Sequence, residues 1–140
     1  MIEKILFKNI DNPEDYFVEV QEKPEMWISC ADLCEPYDCH YNCFFAGKHL
    51  VRQKSYNPED IDIISGLVYT SDDCGEFTFA HSWLKIKDEY FDPTRDLHWD
   101  KDIKRNVIKF LPLFKRNLSS PDTKAENFDA MLFRAMLGKN

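Results

Sequence analysis

The sequence has little glycine, no long apolar run and no excess of basic residues. Only four of its 140 residues are glycine, which gives little support to a collagen-like chain, a glycine-rich linker or a phosphate-binding glycine loop. No stretch reaches the roughly 20 apolar residues of a membrane span. The first residues, Met-Ile-Glu-Lys-Ile-Leu-Phe-Lys, lack the apolar core of a signal peptide. We therefore expect a cytoplasmic protein that does not interact with membranes.

The charge balance is acidic, with 25 Asp and Glu against 18 Lys and Arg and a formal net charge of −7. A protein that neutralises many phosphates usually carries a basic excess, so general nucleic-acid binding is disfavoured. The composition, with 44% hydrophobic and 14% aromatic residues, is typical of a packed globule. The length suits one core, so we predict a single domain over residues 1–140. The oligomeric state does not follow from these features.

The chain contains five cysteines, which is an odd number. In a reducing compartment an odd count indicates free thiols and not a disulfide scaffold. We therefore expect free thiols, any of which could be a nucleophile.

Periodicity predicts helices, then a β-hairpin unit, then helices, which is an α+β arrangement. The apolar spacing of Cys43, Ala46, Leu50 and their neighbours predicts a helix over 43–53, with Asn42 as its N-cap. The other predicted elements are a helix over 24–34, strands over 61–70, 76–86 and 89–92, a kinked helical segment from Ile103 to Phe114, and a last helix from Ser120 to Gly138.

The hairpin places a histidine near an aspartate. If Lys87 and Asp88 form a two-residue turn, Trp83 lies opposite Asp92, and His81 is on the same face, displaced by two residues. Such diagonal neighbours have Cβ atoms about 7–8 Å apart or somewhat less, within reach of an imidazole and a carboxylate. This is the arrangement in which an acid orients a histidine and fixes its tautomer.

A thiol completes this pattern. The predicted Asn42 cap puts Cys43 in the first turn of a helix, where the helix dipole favours a thiolate. A cysteine at a helix terminus, a strand histidine and an orienting carboxylate form the constellation of covalent thiol catalysis.

Two segments resemble the transglutaminase-core superfamily. His81-Ser82-Trp83, followed by Asp92-Pro93-Thr94, is similar to its "His-Ala-Trp … Asp-Pro-Thr" segment. The segment 42–46, Asn-Cys-Phe-Phe-Ala, resembles the helix that carries its cysteine. The order cysteine, histidine, aspartate also matches, and the resemblance covers roughly residues 40–95.

The resemblance implies a papain- or transglutaminase-like fold, in which the cysteine helix packs on a small antiparallel sheet with flanking helices. It implies Cys43 as nucleophile, His81 as general base and acid, and Asp92 as the orienting carboxylate. The expected chemistry is hydrolysis or acyl transfer at an amide bond of a protein or peptide substrate, with no cofactor and no metal. Supporting roles fall to Trp83 and to Asn42 or Tyr41, one of which would join the Cys43 backbone N–H as oxyanion donor.

Two other functions remain open from the sequence. Cysteines and a histidine cluster between positions 30 and 43, and such clusters bind zinc, although the usual two-residue ligand spacing is missing. The five candidate ligands are Cys30, Cys34, Cys39, His40 and Cys43. Alternatively, the chain is a protein-binding module that has kept the fold without the chemistry.

Overall fold

The computed structural model describes residues 3–4, 11–35, 39–72, 75–99 and 107–119. It is an α+β structure in which a curled sheet carries helices on one side and along one edge. The strands are β1 (Glu3–Lys4), β2 (Val20–Gln21), β3 (Ile61–Asp72), β4 (Gly75–Ile86), β5 (Glu89–Phe91) and β6 (Val107–Asn117). The α-helices are α1 (Cys39–Arg52) and α2 (Pro93–His98), and 3₁₀ helices span Pro13–Asp15, Pro24–Leu33 and Pro58–Asp60.

The sheet has six strands in the order β1-β6-β3-β4-β5-β2. It is larger than the small antiparallel sheet expected from the sequence, and it is mixed, because β2 runs parallel to β5 while the other pairs are antiparallel. Val18, just before β2, bridges Phe110 in β6. The segment 18–21 therefore pairs with β5 and also with β6, each second from one end of the order, which curls the sheet towards closure.

The central hairpins follow the predicted pattern. Ile86 pairs with Glu89 and Lys85 with Tyr90 around a two-residue turn, as expected. Lys87 adopts the positive φ of 55° that primed hairpin turns need at their first central position. The register that brings Asp92 towards His81 is thus confirmed.

The predicted helical segment from Ile103 to Phe114 is wrong where the structure describes it, because residues 107–117 form strand β6. The run Phe110-Leu111-Pro112-Leu113-Phe114 is apolar on both faces, which suits a strand covered on both sides as well as it suits a helix. Pro112 is accommodated at an irregularity, where the pairing between β3 and β6 shifts after Ser65. The last predicted helix, 120–138, lies outside the described residues.

Helix α1 packs across one face of the sheet. Its residues Cys43, Ala46 and Leu50 recur at helical spacing and join a buried cluster with side chains from β3, β4 and β5. The other face carries a second cluster around Trp83 and Phe110. Within the described ranges, none of the helices is both long enough and apolar enough to span a membrane.

Candidate active site

The histidine and the aspartate of the candidate site, His81 and Asp92, lie on β4 and directly after β5. The Nε2 atom of His81 lies 2.7 Å from Oδ2 of Asp92, and both side chains are buried. The contact between His81 and Asp92 predicted from the strand register is confirmed.

Asp92 has a second contact that fixes its carboxylate. It is the N-cap of α2, and its Oδ1 accepts the backbone N–H of Arg95 at 3.1 Å. One oxygen therefore holds the helix while the other meets the imidazole. Because Pro93 occupies the first helical position, the turn that delivers Asp92 to His81 is set by an Asp-Pro sequence.

Aromatic rings surround the imidazole. Trp83 is fully buried and stacks on His81 with ring centroids 6.2 Å apart and 23° between planes. Three further rings lie 5.0 to 6.2 Å from the imidazole, those of Phe79, Trp99 and Phe110. Trp83 thus packs against the histidine, in keeping with a supporting role, and its full burial does not suit an oxyanion donor.

The electrostatic environment favours a protonated His81. Burial alone would lower the pKa of His81, but the charge and hydrogen bond of Asp92, with a smaller contribution from a hydrogen bond to Cys39, raise that pKa to about 10. The Cys39 thiol is therefore close enough to the imidazole to influence its charge. Since Nε2 is engaged by Asp92, Nδ1 is the ring nitrogen left to face that thiol.

Helix α1 begins at Cys39, four residues before the predicted start. Cys43 is the fifth residue of the helix and not part of its first turn, and Asn42 is inside the helix and not its N-cap. Both of these predictions are wrong. The apolar stripe that indicated the helix also marks its core-facing side, and Cys43 belongs to that side.

The two thiols, Cys39 and Cys43, therefore differ in surroundings. Cys43 is fully buried, and burial, together with the nearby charges of Asp92 and Cys39, raises its pKa well above the ordinary value. Cys39 lies one helical turn earlier, about 6 Å along the axis, is partly exposed and contributes to the raised pKa of His81. The nucleophilic role of Cys43 stays a prediction, but this placement favours Cys39. The sequence signal for Cys39 is Asp38 directly before it, a preferred N-cap residue type.

Asn42 is engaged in structural hydrogen bonds. Its Nδ2 donates to the Glu35 carbonyl at 2.6 Å and to Oγ1 of Thr94 at 2.8 Å, and its Oδ1 accepts the Glu35 N–H at 2.8 Å. Both amide hydrogens are used in these bonds, so they do not favour the expected role of Asn42 as oxyanion donor, which stays a prediction. These hydrogen bonds link Glu35, which precedes α1, to Thr94 in α2.

The backbone N–H groups that could bind an oxyanion also differ from those predicted. The Cys43 N–H lies at the fifth position of α1, where the i−4 bond to the Cys39 carbonyl uses it, so it is not available to an oxyanion. The first four N–H groups of a helix have no such partner, and they include those of Cys39 and Tyr41. Tyr41 is 45% exposed and stacks on Phe45, so its side chain is still a candidate donor.

The zinc alternative finds no assembled ligand set. The cysteines 30, 34, 39 and 43 are free thiols. Within the part of the chain that the structure describes, no three His, Cys, Asp or Glu side chains form a group that could hold a metal ion. The Cys30 thiol instead donates a hydrogen bond to the Trp27 carbonyl at 3.5 Å, and both Cys30 and Cys34 are buried.

Comparison with protein-family models, curated proteins and solved structures finds no match for this chain. We therefore infer the function from the geometry of these residues.

Proposed function

We propose that this protein is a thiol-dependent hydrolase or acyltransferase acting on an amide bond, with a papain- or transglutaminase-like arrangement of Cys39, His81 and Asp92. The observation that carries the proposal is the buried His81–Asp92 pair at 2.7 Å, with the partly exposed Cys39 at the start of α1 close enough to raise the pKa of the imidazole. The proposal differs from the assignment made from the sequence in the cysteine and in the oxyanion donors.

The reaction begins from the state in which the proton of the Cys39 thiol is held on Nδ1 of the protonated His81, and the Cys39 sulfur attacks the carbonyl carbon of the substrate. We assign stabilisation of the oxyanion to the backbone N–H groups of Cys39 and Tyr41 in the first turn of α1. The carbon–nitrogen bond breaks, and His81 returns its proton to the leaving amine. A thioester on Cys39 remains.

In the second half, His81 takes a proton from water or from an acceptor amine, which attacks the thioester and restores the thiol. We favour hydrolysis because water is always present. Throughout, Asp92 holds the imidazole in the orientation that directs Nδ1 to sulfur, and it stabilises the imidazolium.

The test is the formation of an acyl-enzyme with a small activated ester such as 4-nitrophenyl acetate. Intact-mass spectrometry should detect one acetyl group on the wild-type protein, and peptide mapping should assign it to Cys39. Cys43→Ser is the matched control, one helical turn away, and should be acylated like the wild type. Cys39→Ser should lose the label, and His81→Ala should form it more slowly. Acylation that persists in Cys39→Ser would overturn the proposal.

A further inference from the structure

Strand β4 is paired along only part of one edge. On one side it pairs with β3 over its whole length, from Gly75 to Ile86. On the other side β5 pairs only with residues 84–86 and ends at Phe91. No other strand among the described ranges pairs with β4 there, so residues 75–83 have no strand on that edge.

Alternation shows which backbone groups lie along this edge. Ile86 and Glu89 flank a two-residue turn and form a hydrogen-bonded pair, so the even-numbered residues of β4 direct their N–H and C=O groups away from β3. The other hairpin agrees, because Asp72 and Gly75 flank a two-residue connection and Gly75 therefore points to β3. Glu76, Thr78 and Ala80 consequently present their backbone donors and acceptors along the open edge.

This edge leads into the candidate site. Asp92 follows the last residue of β5, so the site begins where β5 stops covering β4. Residues 75–79 are exposed and Ala80 is half-buried, whereas His81 is buried. From Glu76 to Ala80 the strand spans about 13 Å, enough to pair with four or five residues of an extended chain.

The side chains along the edge suit a peptide with apolar residues. Phe77 and Phe79 lie on the same face of β4 as His81 and are 54% and 38% exposed. The Phe79 ring also contacts the His81 ring, with centroids 6.0 Å apart. An added strand would thus find both main-chain partners and two aromatic surfaces for alternate side chains.

We propose that the open edge of β4, Glu76 to Ala80, binds the substrate as an added β-strand, and that the substrate is an extended peptide segment with apolar side chains. A peptide in this position continues the line of β5 and delivers an amide bond to Cys39 and His81. The inference rests on the proposed function, since it names the substrate class of the same site.

The test uses tetrapeptide vinyl sulfones with apolar residues, together with iodoacetamide, which is too small to occupy the edge. Both would be applied to Thr78→Pro and to its matched control Thr78→Val. Proline removes the N–H that points to the open edge without removing a ladder hydrogen bond to β3, while valine keeps that N–H and the shape of threonine. The control also covers loss of the Thr78 hydroxyl, since this residue lines a cavity of about 290 Å³ with Tyr69 and Lys109.

We expect Thr78→Pro to react with the peptide probes about tenfold more slowly than Thr78→Val, which corresponds to the loss of one hydrogen bond. The two variants should react equally with iodoacetamide. N-methylation of the probe's amides should slow the wild-type reaction in the same way, and this arm needs no folded variant.

Equal rates of the two variants and of the methylated and unmethylated probes would overturn edge binding. So would peptide probes that react with Cys39 no faster than a vinyl sulfone without a peptide. A Cys39 that reacts with iodoacetamide no faster than the other cysteines would instead contradict the proposed function, so the two failures are distinguishable.

Discussion

The His81 imidazole and the Asp92 carboxylate meet at 2.7 Å beside a group of aromatic rings, where Asp92 is fully buried and His81 is only 6% exposed. A buried carboxylate in this position stabilises the charged imidazole and holds its ring in one orientation. Such a pair is expensive to bury unless its partners are well placed. The cap that Asp92 provides to α2 and the Trp83 stack on His81 supply that placement.

The pair should make stability depend on pH. The pKa of His81 is raised to about 10 in the folded protein, against about 6.5 for an unperturbed histidine. A raised folded-state pKa gives a stabilisation that is fully present below the unfolded pKa and is lost as the pH rises through the folded one. The free energy of unfolding of the wild type relative to His81→Gln should thus fall between about pH 6.5 and pH 10. Denaturant unfolding at a series of pH values measures it, and a constant difference would contradict the charged pair.

The effects of the two Asp92 contacts, one with His81 and one with the Arg95 N–H, can be distinguished by substitution. Asp92→Asn keeps an oxygen that can cap α2, whereas Asp92→Ala removes the cap and the histidine contact together. We expect Asp92→Ala to lose about 1 kcal/mol more stability than Asp92→Asn, the usual value of an N-cap. Both variants should slow acylation of Cys39, because each loses the carboxylate charge at His81. Thermal denaturation and the 4-nitrophenyl acetate reaction measure these effects. Equal stability of the two variants would mean that the cap contributes nothing.

Asn42 should be a structural residue. Asn42→Ala leaves the Glu35 N–H and carbonyl without their partner and removes the link to Thr94, so we expect a loss of about 2–3 kcal/mol. Asn57 is an exposed asparagine that makes no side-chain cap, and Asn57→Ala is the control, expected within about 0.5 kcal/mol of the wild type. Urea denaturation decides the point. A negligible cost for Asn42→Ala would show that these hydrogen bonds are not important for folding.

Gly66 lies directly opposite His81 in the β3–β4 pair and should not tolerate a side chain. A Cβ atom there would meet the Leu111 carbonyl oxygen and press on the Trp83 ring, 3.0 Å away. Gly66→Ala should therefore cost about 3 kcal/mol or more and disturb the site, since Trp83 stacks on His81. The Cβ of Gly47→Ala, in helix α1, would lie 3.1 Å from a Leu118 methyl group and 3.5 Å from Ile61, with no backbone atom in the way, and alanine favours the helix more than glycine, so this control should cost much less. Thermal midpoints compare the two, and equal shifts would contradict the packing at Gly66.

Part of this arrangement could be predicted from the sequence. The contact of His81 with Asp92 depends on a short hairpin whose turn and register are local, so counting residues around Lys87 and Asp88 is sufficient. The α+β class follows from the same local patterns. The strand at Phe110 could not be separated from a helix, because both of its faces are buried and its apolar residues show no clear period.

The choice of cysteine depended on information that is not local. Cys39 and Cys43 lie on the same side of one helix, and the sequence pattern does not show where the sheet beneath that helix ends. Under Cys43 the sheet core continues, whereas Cys39 lies beside His81. The hydrogen bonds of Asn42 to Glu35 and Thr94 likewise depend on packing between elements that are distant in sequence.

In our proposal, His81 activates Cys39, and Cys43 is a buried core thiol. Competitive alkylation distinguishes these two roles. Limiting iodoacetamide near neutral pH, followed by mass-spectrometric mapping, gives the relative rate at every cysteine in one sample. We predict that Cys39 is labelled first, that His81→Ala slows Cys39 about tenfold or more while the other thiols keep their rates, and that Cys43 is labelled only on unfolding. Labelling of Cys43 ahead of Cys39 in the folded protein, or a Cys39 rate that His81→Ala leaves unchanged, would contradict the claim.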